Sequence, residues 1–215
     1  SRKARKMLDE AGWTECTITV SNSLDEYLIQ DLWMQDAKID AFGVGERLIT
    51  AKSEPVFGCV YKLVAVEDKD GNIVPKIKIS ENVGKITTPH FKKLYRFYGR
   101  DTGKAIADYL TVYDETVDDS QNLEIFDPDA TWKRKEVYHF EARELLVPIY
   151  QKGKLVYKRP GIEEIKKYCT EQVDTLWDEV KRFDNPHNYY VDLSQKLYDI
   201  KTELLNEKNE RYEKN

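Results

Sequence analysis

The sequence predicts an α/β segment at its start, an antiparallel β-rich region in the middle and helices at its end. Three observations carry this reading. Up to Gly45, helical and strand periods of apolar residues alternate, the rhythm of parallel α/β architecture. From Phe57 onward, apolar runs come in pairs separated by Gly-, Asp- and Asn-containing turns, the pattern of hairpins. After Pro160 the apolar residues step by threes and fours, which is helical. The boundaries that follow are 1–56, 57–159 and 160–215.

Each element has its own signal. Ala4, Met7, Leu8 and Ala11 share one helical face, and Gly12 supplies a left-handed stop. Residues 17–20 form a short strand. Ser23 with Glu26 reads as a capping box opening a helix whose apolar face is Leu24, Tyr27, Leu28 and Leu32. A second strand over 39–44 ends in Gly43-Val44-Gly45, and Glu46 begins another helix. Hairpins follow over 59–66 with 73–80, 91–98 with 105–113, and 147–150 with 155–157. Between them, residues 114–129 are acidic and poor in core residues, without calcium-loop spacing, and read as a solvated loop. Pro160-Gly161 opens a helix over 162–180, striped by Ile162, Ile165, Cys169, Val173, Leu176, Trp177 and Val180. Asn185-Pro186 breaks it. Leu193, Leu197, Ile200 and Leu204 mark the last helix.

Composition excludes several classes. The chain has 215 residues, 40 % hydrophobic, with 14 Tyr and 4 Trp, so it can build a core. Its net charge of −5 arises from 39 acidic against 34 basic residues with no basic run, which argues against nucleic acid. The 3 cysteines are far apart and lack CxxC spacing. They point to a reducing cytoplasmic setting and away from structural zinc. No apolar stretch approaches the ~18 residues of a membrane span. Ser1 opens inside a helical pattern without an initiator Met, which reads as a fragment.

Chemistry is concentrated at the strand ends. Parallel neighbours deliver their C-terminal ends to one rim, where ligands bind in α/β proteins. That rim would carry Ser21 and Asn22 from the first strand, and Gly43, Val44 and Gly45 from the second. Glycines let backbone N–H groups face an anion, and the N–H of Glu46 would join them. A purely structural turn accounts for the same residues. Lys76 and Lys78 alternate on one strand face and, with Lys85, are candidate polyphosphate contacts. Lysines guarding an edge strand are the competing reading. His90, His139 and His187 show no ligand spacing.

The runs Ser21-Asn22-Ser23-Leu24-Asp25-Glu26 and Ile39-Asp40-Ala41-Phe42-Gly43-Val44-Gly45 resemble bacterial nicotinate phosphoribosyltransferase. So do Pro75-Lys76-Ile77-Lys78-Ile79-Ser80-Glu81-Asn82, Lys85-Ile86-Thr87-Thr88-Pro89, Phe140-Glu141-Ala142-Arg143-Glu144-Leu145-Leu146 and Leu176-Trp177-Asp178-Glu179. The resemblance implies a fold in which 1–56 supply the last strands of an irregular, TIM-like α/β barrel. It also implies an activity: nicotinate and phosphoribosyl pyrophosphate give nicotinate mononucleotide and pyrophosphate in NAD salvage, with ATP hydrolysis coupled. Mg²⁺, a homodimer and a cytoplasmic location come with it. Phosphate would rest on Gly43 to Glu46, beside Ser21 and Asn22. The family's phosphorylated histidine, ribose-binding segment and ring contacts lie upstream of the matching region. No catalytic residue or metal ligand is therefore assigned here, and the isolated chain is expected to be inactive. Two positions depart from the family: Glu46 stands where relatives carry Thr, and His90 where they carry Gly. The alternatives are a non-catalytic interaction module and an enzyme of the quinolinate phosphoribosyltransferase type.

Overall fold

The computed structural model describes residues 1–213, with side chains described through Glu207. It divides into two units, Ser1–Val60 and Tyr61–Asn215. Among the described residues no helix is long and apolar enough to cross a membrane.

The first unit runs α1 (Arg2–Glu10), β1 (Thr19–Ser21), α2 (Glu26–Met34), β2 (Ala41–Gly43) and α3 (Glu46–Ile49). Gly12, at φ +83°, ends the α1 segment as the sequence requires. Arg5 ties this end down, bonding Asp9 at 2.8 Å and the Trp13 carbonyl at 2.7 Å. β1 and β2 are parallel, with Thr19 opposite Ala41, Val20 opposite Phe42 and Ser21 opposite Gly43. The expected capping box at Ser23 is not formed. The N-cap of α2 is Asp25, whose carboxylate accepts from the Leu28 N–H at 2.9 Å. Ser23 lies two residues too early and sits at φ +52°. A charged oxygen at the true cap position satisfies the orphan N–H instead. Leu24, 3 % exposed, is the one buried side chain among the described residues of this unit.

The second unit begins with the antiparallel pair β3 (Ala65–Glu67) and β4 (Ile73–Pro75). Their turn is held by Asp68, which accepts from the N–H groups of Asp70 at 2.9 Å and Asn72 at 2.8 Å. Then come β5 (Lys92–Gly99), β6 (Ala105–Val112), β7 (Leu123–Asp127), β8 (Ala130–Val137), β9 (Phe140–Glu144), β10 (Tyr150–Gln151) and β11 (Lys154–Leu155). α4 (Ile162–Asp174), β12 (Val191–Leu193) and α5 (Gln195–Glu213) close the chain.

A four-stranded sheet of order β12-β6-β5-β9 organises this unit. β12 is parallel to β6, and the other pairings are antiparallel. Strand alternation sends Tyr95, Phe97, Ala107, Tyr109 and Phe140 to one face, where Ile125 of β7 and Val137 of β8 cover them. Phe97 and Phe140 are fully buried with ring centroids 4.7 Å apart. On the opposite face Val112 and Leu193 pack against Leu197 of α5. On that face too, Arg143 of β9 lies under Tyr168 of α4, its guanidinium 5.9 Å from the ring centroid.

Three expectations change. The acidic stretch is not merely a loop: its second half is β7, and Ile125 and Phe126 are core residues. The acidic residues around Ile125 and Phe126 obscured a short apolar period. The helix foreseen over 162–180 stops at Asp174. Thr175 Oγ1 bonds the Gln172 carbonyl at 2.6 Å, and the Lys104 ammonium bonds the carbonyls of Asp174 at 2.8 Å and Leu176 at 3.2 Å. A cation on the last carbonyls ends a helix favourably. Finally, the stretch 160–215 is not all helix. It supplies β12 to the sheet and Leu197 to the core, contacts distant in sequence that periodicity cannot register.

Candidate functional site

Parallel pairing places Ser21 and Gly43 side by side at the C-terminal ends of β1 and β2. The approach is close: a Cβ on Gly43 would lie 3.2 Å from both Cβ and Oγ of Ser21. Ser21 Oγ donates to the Gly43 carbonyl at 3.2 Å, so this hydroxyl ties the two ends together rather than standing free. Asn22 follows at φ +103° and Ser23 at φ +52°. Two successive non-glycine residues in this region are costly, about 1–3 kcal/mol each, and such strain concentrates at functional turns.

On the neighbouring end, the N–H groups of Val44, Gly45 and Glu46 donate to no protein acceptor among the described residues. A Cβ on Gly45 would meet nothing within 4 Å. The space above the turn is open, and three adjacent backbone donors border it. α3 is a single turn of 4 residues, so the helix dipole adds little and the donors themselves carry the site. The Glu46 side chain is exposed.

The rim is braced by an ion pair that the sequence did not reveal. The Arg47 guanidinium bonds the Asp25 carboxylate, linking the residue after Glu46 to the cap of α2. The Leu28 N–H first, and the Arg47 charge after it, hold the Asp25 carboxyl below the ordinary carboxylate range despite some desolvation. The readable signal was Asp25 three residues before Leu28, an N-cap spacing that Ser23 and Glu26 overshadowed.

The lysine candidates lie in the second unit. Lys76 and Lys78 are exposed on either side of buried Ile77, as alternation requires, although β4 ends at Pro75 and only the Lys76 N–H carries the pairing on, to the Val64 carbonyl at 2.9 Å. Both line an open pocket of about 440 Å³ together with Tyr61 and Lys62. Lys62 Nζ donates to the Lys85 carbonyl at 3.1 Å, and the Lys78 N–H donates to Thr87 Oγ1 at 3.1 Å. Lys62, Lys76, Lys78 and Lys85 thus belong to one neighbourhood. Lys62 was missed because its partner carbonyl lies 23 residues away. Among the described residues no group of three or more His, Cys, Asp or Glu is placed to hold a metal ion.

A profile of the nicotinate phosphoribosyltransferase C-terminal domain matches residues 91–201. The chain belongs to that family. It is 44 % identical over 213 residues to nicotinate phosphoribosyltransferase of Bacillus subtilis (strain 168), covering 99 % of this chain and 43 % of the relative. The Caenorhabditis elegans enzyme is 36 % identical over 184 residues, covering 85 % of this chain and 32 % of its own. The fold resembles the crystal structure of human nicotinic acid phosphoribosyltransferase, with a TM-score of 0.64 over 95 % of this chain and 36 % of that one, at 22 % identity. The chain therefore spans less than half the length of the curated nicotinate phosphoribosyltransferases that it matches.

The turn at His90 has a distinct physical setting. His90 sits at φ +78°, in the region a glycine adopts without cost. Here the imidazole stacks on Tyr113, with centroids 5.9 Å apart, and its Nδ1 accepts from the Phe91 N–H at 2.9 Å. Lys92 Nζ secures the same turn by bonding the carbonyls of Thr88 at 2.9 Å, Pro89 at 3.3 Å and His90 at 2.7 Å. The imidazole and the Lys92 ammonium together hold this turn.

Proposed function

We propose that this chain is the C-terminal part of an enzyme converting nicotinate and phosphoribosyl pyrophosphate into nicotinate mononucleotide and pyrophosphate, with ATP hydrolysis coupled. The observation that carries this is the 44 % identity over 99 % of the chain to a curated nicotinate phosphoribosyltransferase. In the whole enzyme, β1 and β2 are the last strands of an irregular α/β barrel. A two-stranded parallel ribbon with one buried side chain supports this, since parallel strands need covered faces and further neighbours.

The role assigned to this chain is holding, not bond making. Val44, Gly45 and Glu46 offer N–H groups to a phosphate, Gly43 allows the close approach of the strand ends, and Ser21 and Asn22 shape the rim. Glu46 contributes its backbone only, with its exposed carboxylate turned to solvent. Lys76, Lys78 and Lys85, joined by Lys62, are assigned to polyphosphate. Mg²⁺ accompanies the pyrophosphate without a protein ligand from this chain, and no residue here is assigned to the adenine of ATP. A homodimer in the cytoplasm completes the proposal.

Gly45→Val in the full-length enzyme is the test. A Cβ at this position meets nothing within 4 Å, so folding should be spared while the isopropyl group crowds the N–H donors. Nicotinate turnover should be lost with the melting temperature preserved. Unchanged kinetics would remove the phosphate assignment.

A further inference from the structure

The second unit holds a carboxylate that neither its core nor the proposed phosphate sites require. Asp192 lies on β12 opposite Tyr109, beneath the β7–β8 ribbon. Its side chain is buried, with the residue 3 % exposed, yet its carboxylate accepts no hydrogen bond among the described residues. Holding an ionised carboxylate this deep without a protein donor is costly, although its oxygens are not sealed from solvent. Asp192 instead lines a cavity of about 370 Å³.

The walls of this cavity define its chemistry. Phe126, Trp132 and Tyr190 supply aromatic surface, and Trp132 is 79 % exposed at the mouth. Of the other charged groups, Asp127 is engaged by Lys133 at 3.8 Å and by the Asp129 N–H at 2.9 Å. The Arg134 guanidinium is paired with Glu124 and lies 5.3 Å from the Phe126 ring centroid. Lys135 acts on Asp192 only through space, without contact. Of the carboxylates lining this cavity, Asp192 is thus the one that accepts no hydrogen bond among the described residues, and it shares the lining with three aromatic rings.

We propose that this cavity binds a small planar aromatic molecule carrying an N–H donor group, an amide or amidine, with Asp192 as the acceptor and Trp132 and Tyr190 against the ring. The inference is independent of the phosphate assignment, because it lies wholly within 61–215 and needs no anion. Burial first, and the nearby Asp127 charge after it, push the Asp192 carboxyl up to about 6, with Lys135 opposing. An N–H donor is the group that relieves both effects.

Benzamide, benzamidine and benzoate, which are alike in size, are titrated into the full chain while the Trp132 indole and Tyr190 ring resonances are followed. Benzamide and benzamidine should bind and benzoate should not. Asp192→Asn should weaken both by at least tenfold, the loss expected when a charge-assisted hydrogen bond is removed. Binding of benzamide should also fall as the pH drops through about 6. Trp132→Ala, at an exposed position outside the core, should weaken binding without changing the melting temperature. Failure of both donor probes to bind, equal binding by benzoate, or undiminished binding by Asp192→Asn would each overturn the proposal.

Discussion

Replacing Asp108 tests how the central sheet is held. Asp108 on β6 faces Arg96 across the β5–β6 ladder, with Nε to Oδ1 at 2.7 Å and Nη2 to Oδ2 at 2.9 Å. Tyr189 donates its hydroxyl to the same carboxylate at 3.1 Å, and its ring centroid lies 5.7 Å from the Arg96 guanidinium. The Asp108 and Arg96 side chains are 11 % and 22 % exposed. The Asp108 hydrogen bond first, and its charge after it, raise the Arg96 pKa further above its already high value. Asp108→Ala strands a guanidinium and a phenol together. Breaking a buried pair costs about 3–5 kcal/mol, and residual solvent access places this one at about 3 kcal/mol. That corresponds to a melting-temperature drop of roughly 6–12 °C for a chain of this size. Arg96→Met should cost a similar amount. The double variant Arg96→Met/Asp108→Leu should return to within about 1 kcal/mol of the parent, because no buried charge is left unpaired. Tyr189→Phe should cost about 1 kcal/mol. Urea unfolding, with native-state exchange of the β5 and β6 amides to localise the loss, provides the measurement. If the two single losses simply add in the double variant, the pair is not coupled and the reasoning is wrong.

Other expectations concern separate regions. The folded pKa of Asp192 is raised from 3.8 to about 6, so its favourable contribution is complete below pH 3.8 and is lost as pH rises through about 6. The stability of Asp192→Asn relative to the parent should therefore grow by about 2 kcal/mol between pH 4 and 7. A gap independent of pH in denaturation curves would refute it. At φ +78°, His90→Gly should be more stable than His90→Ala by about 1 kcal/mol, as read by melting temperature, because only the glycine escapes the left-handed cost. An alanine variant equal to or above the glycine variant would contradict this. Phe97→Ala, emptying the fully buried site against Phe140, should cost about 3–5 kcal/mol in denaturant unfolding. A loss below 1 kcal/mol would show that the site lies outside the cooperative core.

Several elements were legible in the chain because their causes are local. The β5–β6 hairpin follows from alternating apolar residues around a glycine-containing turn. The Asp68 to Asn72 turn follows from side chains that bond their own backbone. The stop at Gly12 needs only a residue tolerant of positive φ. The glycines that join β2 to α3 were readable as Gly43 and Gly45, but the hydroxyl of Ser21 that ties the end of β2 was not. Elements whose causes lie far away were not legible. β7 was concealed by its acidic surroundings, and α4 was cut short by Lys104, distant in sequence.

What the sequence determined by itself is the α/β start, the hairpins with local turns, the two glycines after β2, and the family to which the long runs of residues belong. What only the tertiary structure decided is how those parts are used. It turned Ser21 Oγ onto the Gly43 carbonyl, left the three N–H groups after Gly43 without acceptors among the described residues, and joined Arg47 to Asp25. It also carried Asp192 into the sheet as an unpartnered carboxylate under a distant ribbon. The physical reason is the range of the forces. Turn preference and periodicity act over a few residues, whereas burial, ion pairing and desolvation depend on neighbours that only folding brings together.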